Sequence, residues 1–128
     1  MVKSSATDNG GEARFKDAPP ILFMVFCRPD KTAAVFDSIR AARPRRLFIA
    51  ADGPRQDRPD DEPRCAHVRA IVSNVDWPCE VKTLFRTTNL GCGRAVSEAL
   101  QWFFTQVEEG IILEDDTVPD ASFFSYCA

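Results

Sequence analysis

Three consecutive carboxylates, Glu114-Asp115-Asp116, follow directly on the apolar run Ile111-Ile112-Leu113. Adjacent negative charges repel one another and suit neither helix nor strand, so a compensating cation is the simplest account of them. Hard oxygen donors of this kind hold Mg²⁺ or Mn²⁺. At the end of a buried parallel strand they would stand where open α/β sheets bind their ligands. A plainer reading competes on equal terms at these residues: a solvated acidic turn, with Asp116 or Asp120 capping the next helix.

Other polar residues recur at comparable points. Arg28 follows the apolar residues 21–26, Asp52 follows residues 47–51, and Arg86 follows residues 80–85. Gly91-x-Gly93-Arg94 opens a helical pattern. Glycines there let backbone approach a ligand, free N–H groups at a helix start favour anions, and Arg94 could fork onto phosphate. Its spacing matches neither a Walker loop nor the dinucleotide fingerprint. Asp52 could accept hydrogen bonds from a base or ribose, or could simply belong to the turn before Gly53-Pro54. Arg28 and Arg94 have a plain reading as surface charges, and Asn89-Leu90-Gly91 as a tight turn.

The elements that must position these groups alternate regularly. Ile21-Leu22-Phe23-Met24-Val25-Phe26 is apolar without a break, the pattern of a central parallel strand covered on both faces. Val35, Phe36, Ile39 and Ala42 then keep helical spacing, with Asp30 as the expected N-cap and Arg43-Pro44 as the stop. Leu47-Phe48-Ile49-Ala50-Ala51 reads as a second buried strand. Asp60 or Asp61 can cap a helix on which Cys65, Val68, Ile71, Val72 and Val75 share one face. The third strand, residues 80–85, alternates and is expected nearer the sheet edge. Val96, Ala99, Leu100, Phe103 and Val107 mark a third helix, and a fourth strand runs into the acidic triplet. Asp120 is expected to cap a last helix containing Phe123, Phe124 and Tyr126. This order predicts an α/β fold, a mostly parallel sheet with helices on both faces. If the first and fourth strands are neighbours, Arg28 faces the carboxylates across the crevice between them.

Composition narrows the partners. The 128 residues suffice for one domain with a sizeable core, and 45% hydrophobic with 27% charged residues is ordinary for a water-soluble globular chain. A net charge of -3 with scattered basic residues argues against nucleic acid as a partner. No apolar run approaches a transmembrane segment, and the N-terminus lacks a secretory signal. Five cysteines without a Cys-x-x-Cys pair suggest neither a disulfide framework nor a zinc site, which points to reduced thiols in a cytoplasmic protein. His67, the lone histidine, is expected on a partly exposed helix face. Trp77 and Trp102 are expected in the core. Residues 1–18 are polar and aperiodic and read as a disordered leader, leaving residues 19–128 as the domain.

Four motifs in this order, Phe26-Cys27-Arg28-Pro29-Asp30, Ala51-Asp52-Gly53-Pro54-Arg55, Asn89-Leu90-Gly91-Cys92-Gly93-Arg94 and Leu113-Glu114-Asp115-Asp116, resemble the nucleotide-binding half of GT-A glycosyltransferases. Glu-Asp-Asp followed by Pro119-Asp120 and Phe123-Phe124 is similar to inverting N-acetylglucosaminyltransferases with an E-D-D form of the D-x-D motif. The resemblance spans about residues 20–128 and implies a Rossmann-like half that binds a nucleotide-diphosphate sugar, for transfer to an unknown acceptor. It implies Asp52 at the nucleobase, Arg28 and Arg94 at the nucleotide and diphosphate beside Gly91, and Glu114 and Asp115 at ribose or sugar. Asp116, with Asp115 beside it, would hold Mn²⁺ or Mg²⁺, which neutralises the leaving diphosphate as a Lewis acid. Members of the family continue for a further acceptor-binding half that also supplies the general base, so the chain is expected to be truncated and no residue here is assigned as base. Two other readings are a non-catalytic nucleotide-binding or interaction module, and a metal-dependent phosphatase. The phosphatase would need a nucleophilic Asp where Cys27-Arg28-Pro29 stands.

Overall fold

The computed structural model describes residues 19–116. The leader expected over residues 1–18, and the last helix expected after Asp120, lie outside the described residues. Within them the chain alternates strictly: β1 (Ile21–Val25), α1 (Pro29–Ala42), β2 (Arg46–Ala51), α2 (Asp61–Val72), β3 (Glu80–Phe85), α3 (Cys92–Phe104) and β4 (Ile111–Glu114). The four strands form one sheet in the order β3-β2-β1-β4, and every pair is parallel. β1 and β4 are therefore neighbours, with Ile21 opposite Ile111 and Met24 opposite Glu114.

The unbroken apolar run of β1 is explained by cover on both faces. Ile21, Phe23 and Val25 join Leu47, Ile49 and Ala51 under α1 and α2, which contribute Val35, Phe36, Ile39, Val68 and Val72. On the opposite face Leu22, Phe48 and Ala50 meet Ala99 and Phe103 of α3. Phe103 stands edge-on to Phe48 at 5.0 Å between ring centroids, an arrangement that adds to the area it buries. Each large side chain buried in these two layers stabilises the fold by about 1.5–3 kcal/mol relative to leaving it in water. β3 is an edge strand. Its residues Glu80 to Thr83 are exposed, and the charged Glu80 and Lys82 discourage pairing with a further strand. Trp77 is buried and donates its indole N–H to the Pro44 carbonyl at 2.8 Å, tying the turn before β3 to the end of α1.

The helix ends differ in detail from the expected caps. α1 opens with Pro29, whose fixed φ suits the first helical position, so Arg28 rather than Asp30 stands at the N-cap. Asp30 lies in the first turn, where its charge complements the helix dipole. Arg43 closes the helix in the left-handed region (φ 51°), donating its N–H to the carbonyls of Ile39 and Arg40. Asp60 occupies the N-cap of α2 with helical backbone angles (φ -76°, ψ -13°) and makes no side-chain capping bond, while the neighbouring Asp61 pairs with Arg55. At the entry to β4, a Cβ on Gly110 would collide with the Phe103 ring and come within 2.8 Å of the Pro20 carbonyl oxygen. The missing side chain is what lets Ile111 donate its N–H to that same carbonyl and start the β1–β4 ladder.

Candidate functional site

The four strands end on one rim, and a cleft of about 510 Å³ opens there. That volume suits a small-molecule ligand. α1 leaves β1 toward one face and α3 reaches β4 from the other, so the crevice beyond β1 and β4 is a topological switch point, the usual ligand position in open parallel sheets. Arg28 from the end of β1 and Glu114, Asp115 and Asp116 from the end of β4 line the same cleft. Its inner part runs beneath α3, with Met24, Ala50 and Leu84 of the sheet facing Ala95, Val96 and Ala99 of the helix. A charged mouth and an apolar interior thus belong to one cavity.

Of the three acids, Asp115 is the one taken from water, at 8% exposure. Burial pushes its carboxyl above the usual carboxylate range; Arg28 pulls it back, while Asp116 and Glu114 push it further. A buried carboxylate held beside two others by the fold is the electrostatic situation that a bound cation relieves. The donor set is all hard oxygen, and it fits Mg²⁺ or Mn²⁺ on chemical grounds. Among the described residues no three His, Cys, Asp or Glu side chains converge on one cation position. A Mg²⁺-type ion does not need them to: it is commonly held by one or two carboxylates together with substrate phosphate oxygens.

The raised pKa of Asp115 has a stability consequence. The folded chain binds this proton more tightly than the unfolded chain does, so the ionised group costs stability once the pH exceeds the unfolded value. Asp115→Asn is therefore expected to raise the neutral-pH melting temperature by a few degrees, because it removes a charge that burial disfavours. The gain should shrink as the pH falls through the carboxylate range. Thermal denaturation across pH checks this, and a variant that melts lower than wild type at neutral pH contradicts it.

No protein-family model, curated protein or solved structure matches the chain. The functional reading therefore rests on the four motifs and on what the fold does with them.

The fold brings Arg28, Asp52, Gly91, Glu114, Asp115 and Asp116 to one cavity. Arg94 is not among its walls. It lies 69% exposed and ion-paired with Glu98 one turn along α3, at 2.8 Å. Glu98 also holds Arg86 at 2.9 Å, and the Arg94 hydrogen bond, then the Arg86 charge, keeps its carboxyl below the usual range. Arg86 does line the cleft, directly after β3, and is the cation on that side. Gly91 has φ 86°, a conformation that favours glycine, and it turns the chain into α3. Arg55 is a further cleft cation that the sequence reading gave no role. Its guanidinium lies over the Phe26 ring at 5.3 Å and is gripped by Asp61 through bonds of 2.6 and 3.0 Å, with a third from the Arg55 N–H at 3.1 Å. Its position after the Asp52-Gly53-Pro54 turn was the available signal. The pairing with Asp61 was not visible without the fold.

Proposed function

We propose that this chain binds a nucleotide-diphosphate sugar through Mn²⁺ or Mg²⁺, as the donor-binding domain of a glycosyltransferase acting on an acceptor of unknown identity. The observation that carries the reading is the meeting of opposite charges at one switch-point cleft: Arg28, Arg55 and Arg86 with Glu114, Asp115 and Asp116. A site for a simple anion has no use for three carboxylates, and a site for a simple cation has no use for arginines on its wall, even though Arg55 and Arg86 are partly neutralised by Asp61 and Glu98. A diphosphate with its counter-cation uses both. In this reading the acidic triplet holds the metal, with Asp116 and Asp115 as its ligands, and the arginines take the remaining phosphate charge, Arg28 foremost because Arg55 and Arg86 already pair with Asp61 and Glu98. The apolar space under α3 takes the least polar part of the ligand. When bound, the cation would supply Lewis-acid neutralisation of the departing diphosphate. Four described cysteines, Cys27, Cys65, Cys79 and Cys92, are free thiols, and a cytoplasmic setting is part of the proposal. Among the described residues no helix is long and apolar enough to cross a membrane.

Calorimetric titration with UDP-, GDP- and ADP-sugars, in Mn²⁺ and then in excess chelator, tests the proposal. Saturable heat for at least one donor in the metal, and its loss in the chelator, is the expected result. Equal binding with and without metal, or none to any donor, rejects it. Transfer assays then separate an active enzyme from a module that only binds.

A further inference from the structure

Asp52 is part of the cleft wall, yet its carboxylate is already fully engaged by protein donors. One oxygen, Oδ1, accepts the N–H groups of Gly53 at 2.9 Å and Leu90 at 2.9 Å. The other, Oδ2, accepts the Asn89 side-chain amide at 3.1 Å and the Gly91 N–H at 3.2 Å. A carboxylate offers about four acceptor sites, and here each has a donor. Three further features bind the same two loops. The Asn89 amide also donates to the Gly53 carbonyl at 2.9 Å. Gly53 sits so close to Thr88 that a Cβ would fall 2.6 Å from its backbone carbonyl group. From α2, the Arg69 guanidinium donates to the Asp52 carbonyl at 3.3 Å and to the Arg86 carbonyl at 2.6 Å.

We infer that Asp52 is a positioning residue: its carboxylate latches the Asn89-Leu90-Gly91 turn to the end of β2, and so sets where α3 begins over the cleft, without itself contacting the ligand. The turn passes at Gly91 directly into α3, and Gly91 accepts from the Ala95 N–H at 2.8 Å in the first helical bond. Freeing the turn would let Gly91 and the first turn of α3 move, and with them the roof over Ala50 and Leu84. Substitution at Asp52 therefore weakens binding through the helix start. A donor group on a nucleobase would have to displace one of the four protein donors to reach this carboxylate.

The latch itself is independent of the proposed ligand, while its effect on binding rests on the nucleotide-diphosphate reading; the test keeps the two apart. In the ligand-free chain, hydrogen exchange by NMR should find the Leu90 and Gly91 amides protected. Asp52→Asn, which turns a donor toward existing donors, should speed their exchange by at least about tenfold, the effect of losing a charge-assisted bond. The β1 amides should keep their rates. Asn89→Ala, a milder change should Asp52→Asn fold poorly, should speed the same two amides by a smaller factor. Leu90 and Gly91 amides that exchange freely in wild type, or that ignore both substitutions, overturn the latch. With UDP, GDP or ADP in Mn²⁺, both variants should lose affinity, and the double variant should lose no more than the weaker-binding single one. Lost affinity in Asp52→Asn with both amides still protected would mean direct ligand contact, and overturns the inference. A wild-type chain that binds none of the three nucleotides removes the donor reading, and the exchange data still decide the latch.

Discussion

Asp116→Ala is expected to reduce nucleotide affinity in Mn²⁺ to the level that wild type shows in chelator, a loss of about 100-fold. The size follows from reciprocity. In the proposed reading, an ion held by one or two carboxylates shares oxygens of the bound diphosphate in its shell. Metal and nucleotide must then strengthen one another equally, and couplings of this kind are typically ~5–150-fold. Two titrations follow: Mn²⁺ into the free chain should give weak heats, and Mn²⁺ into the nucleotide-loaded chain strong ones. Asp116→Ala should abolish the difference and leave the melting temperature within a few degrees of wild type, since Asp116 is exposed. Asp116→Ala binding nucleotide as tightly as wild type in Mn²⁺ would falsify the metal assignment and, with it, the role of the triplet.

The second large effect concerns stability. Asp61 is buried at 1% exposure and grips Arg55 with both carboxylate oxygens, so Asp61→Ala is expected to lower the melting temperature by ~10 °C at neutral pH. The Arg55 hydrogen bond pulls the Asp61 pKa down to about 2, below its unfolded value. A depressed carboxylate pKa contributes stability that is present above the unfolded pKa and is lost as the pH falls through the folded one. The gap between wild type and Asp61→Ala should therefore be constant at neutral pH and narrow from about pH 4 toward about pH 2. Differential scanning calorimetry over that range is decisive; a gap that stays the same at the acid end leaves the ion pair without its assigned role. Arg55→Ala should destabilise comparably because it leaves Asp61 buried and unpaired, and the double variant should fall short of the sum. Since Arg55 also walls the cleft, these variants should lose nucleotide affinity even at temperatures where they remain folded.

The fold was legible because each element declares itself locally. The uninterrupted apolar residues of β1 announce cover on both faces, and α1 and α2 on one side with α3 on the other supply it. The alternation of β3 announces an edge, and it lies at one. Even the adjacency of β1 and β4, posed from sequence only as a condition, is present in the register of Ile21 with Ile111. The details of the rim were less legible because they depend on partners far apart in the chain. Nothing near Asp52 signals that Asn89, Leu90 and Gly91 will fill its carboxylate. The phosphate role expected of Arg94 follows from its place in a glycine motif, but the helix presents it outward to Glu98. Arg86, a strand-end residue with no motif around it, is the one that faces the cavity.

The β1–β4 pairing joins the first described strand to the last, while β1 finds β2 only one helix further on. Closing the longer loop costs more chain entropy. Until β4 docks, the apolar Ile111-Ile112-Leu113 lacks its place in the sheet and Glu114 to Asp116 are nowhere near Arg28. The cleft is thus completed by the same pairing that completes the described sheet, so a chain with β4 undocked would be unable to hold a ligand that needs both sides of the rim. Any compound that requires both sides would capture only the finished molecule, and could act as a folding-selective stabiliser during synthesis.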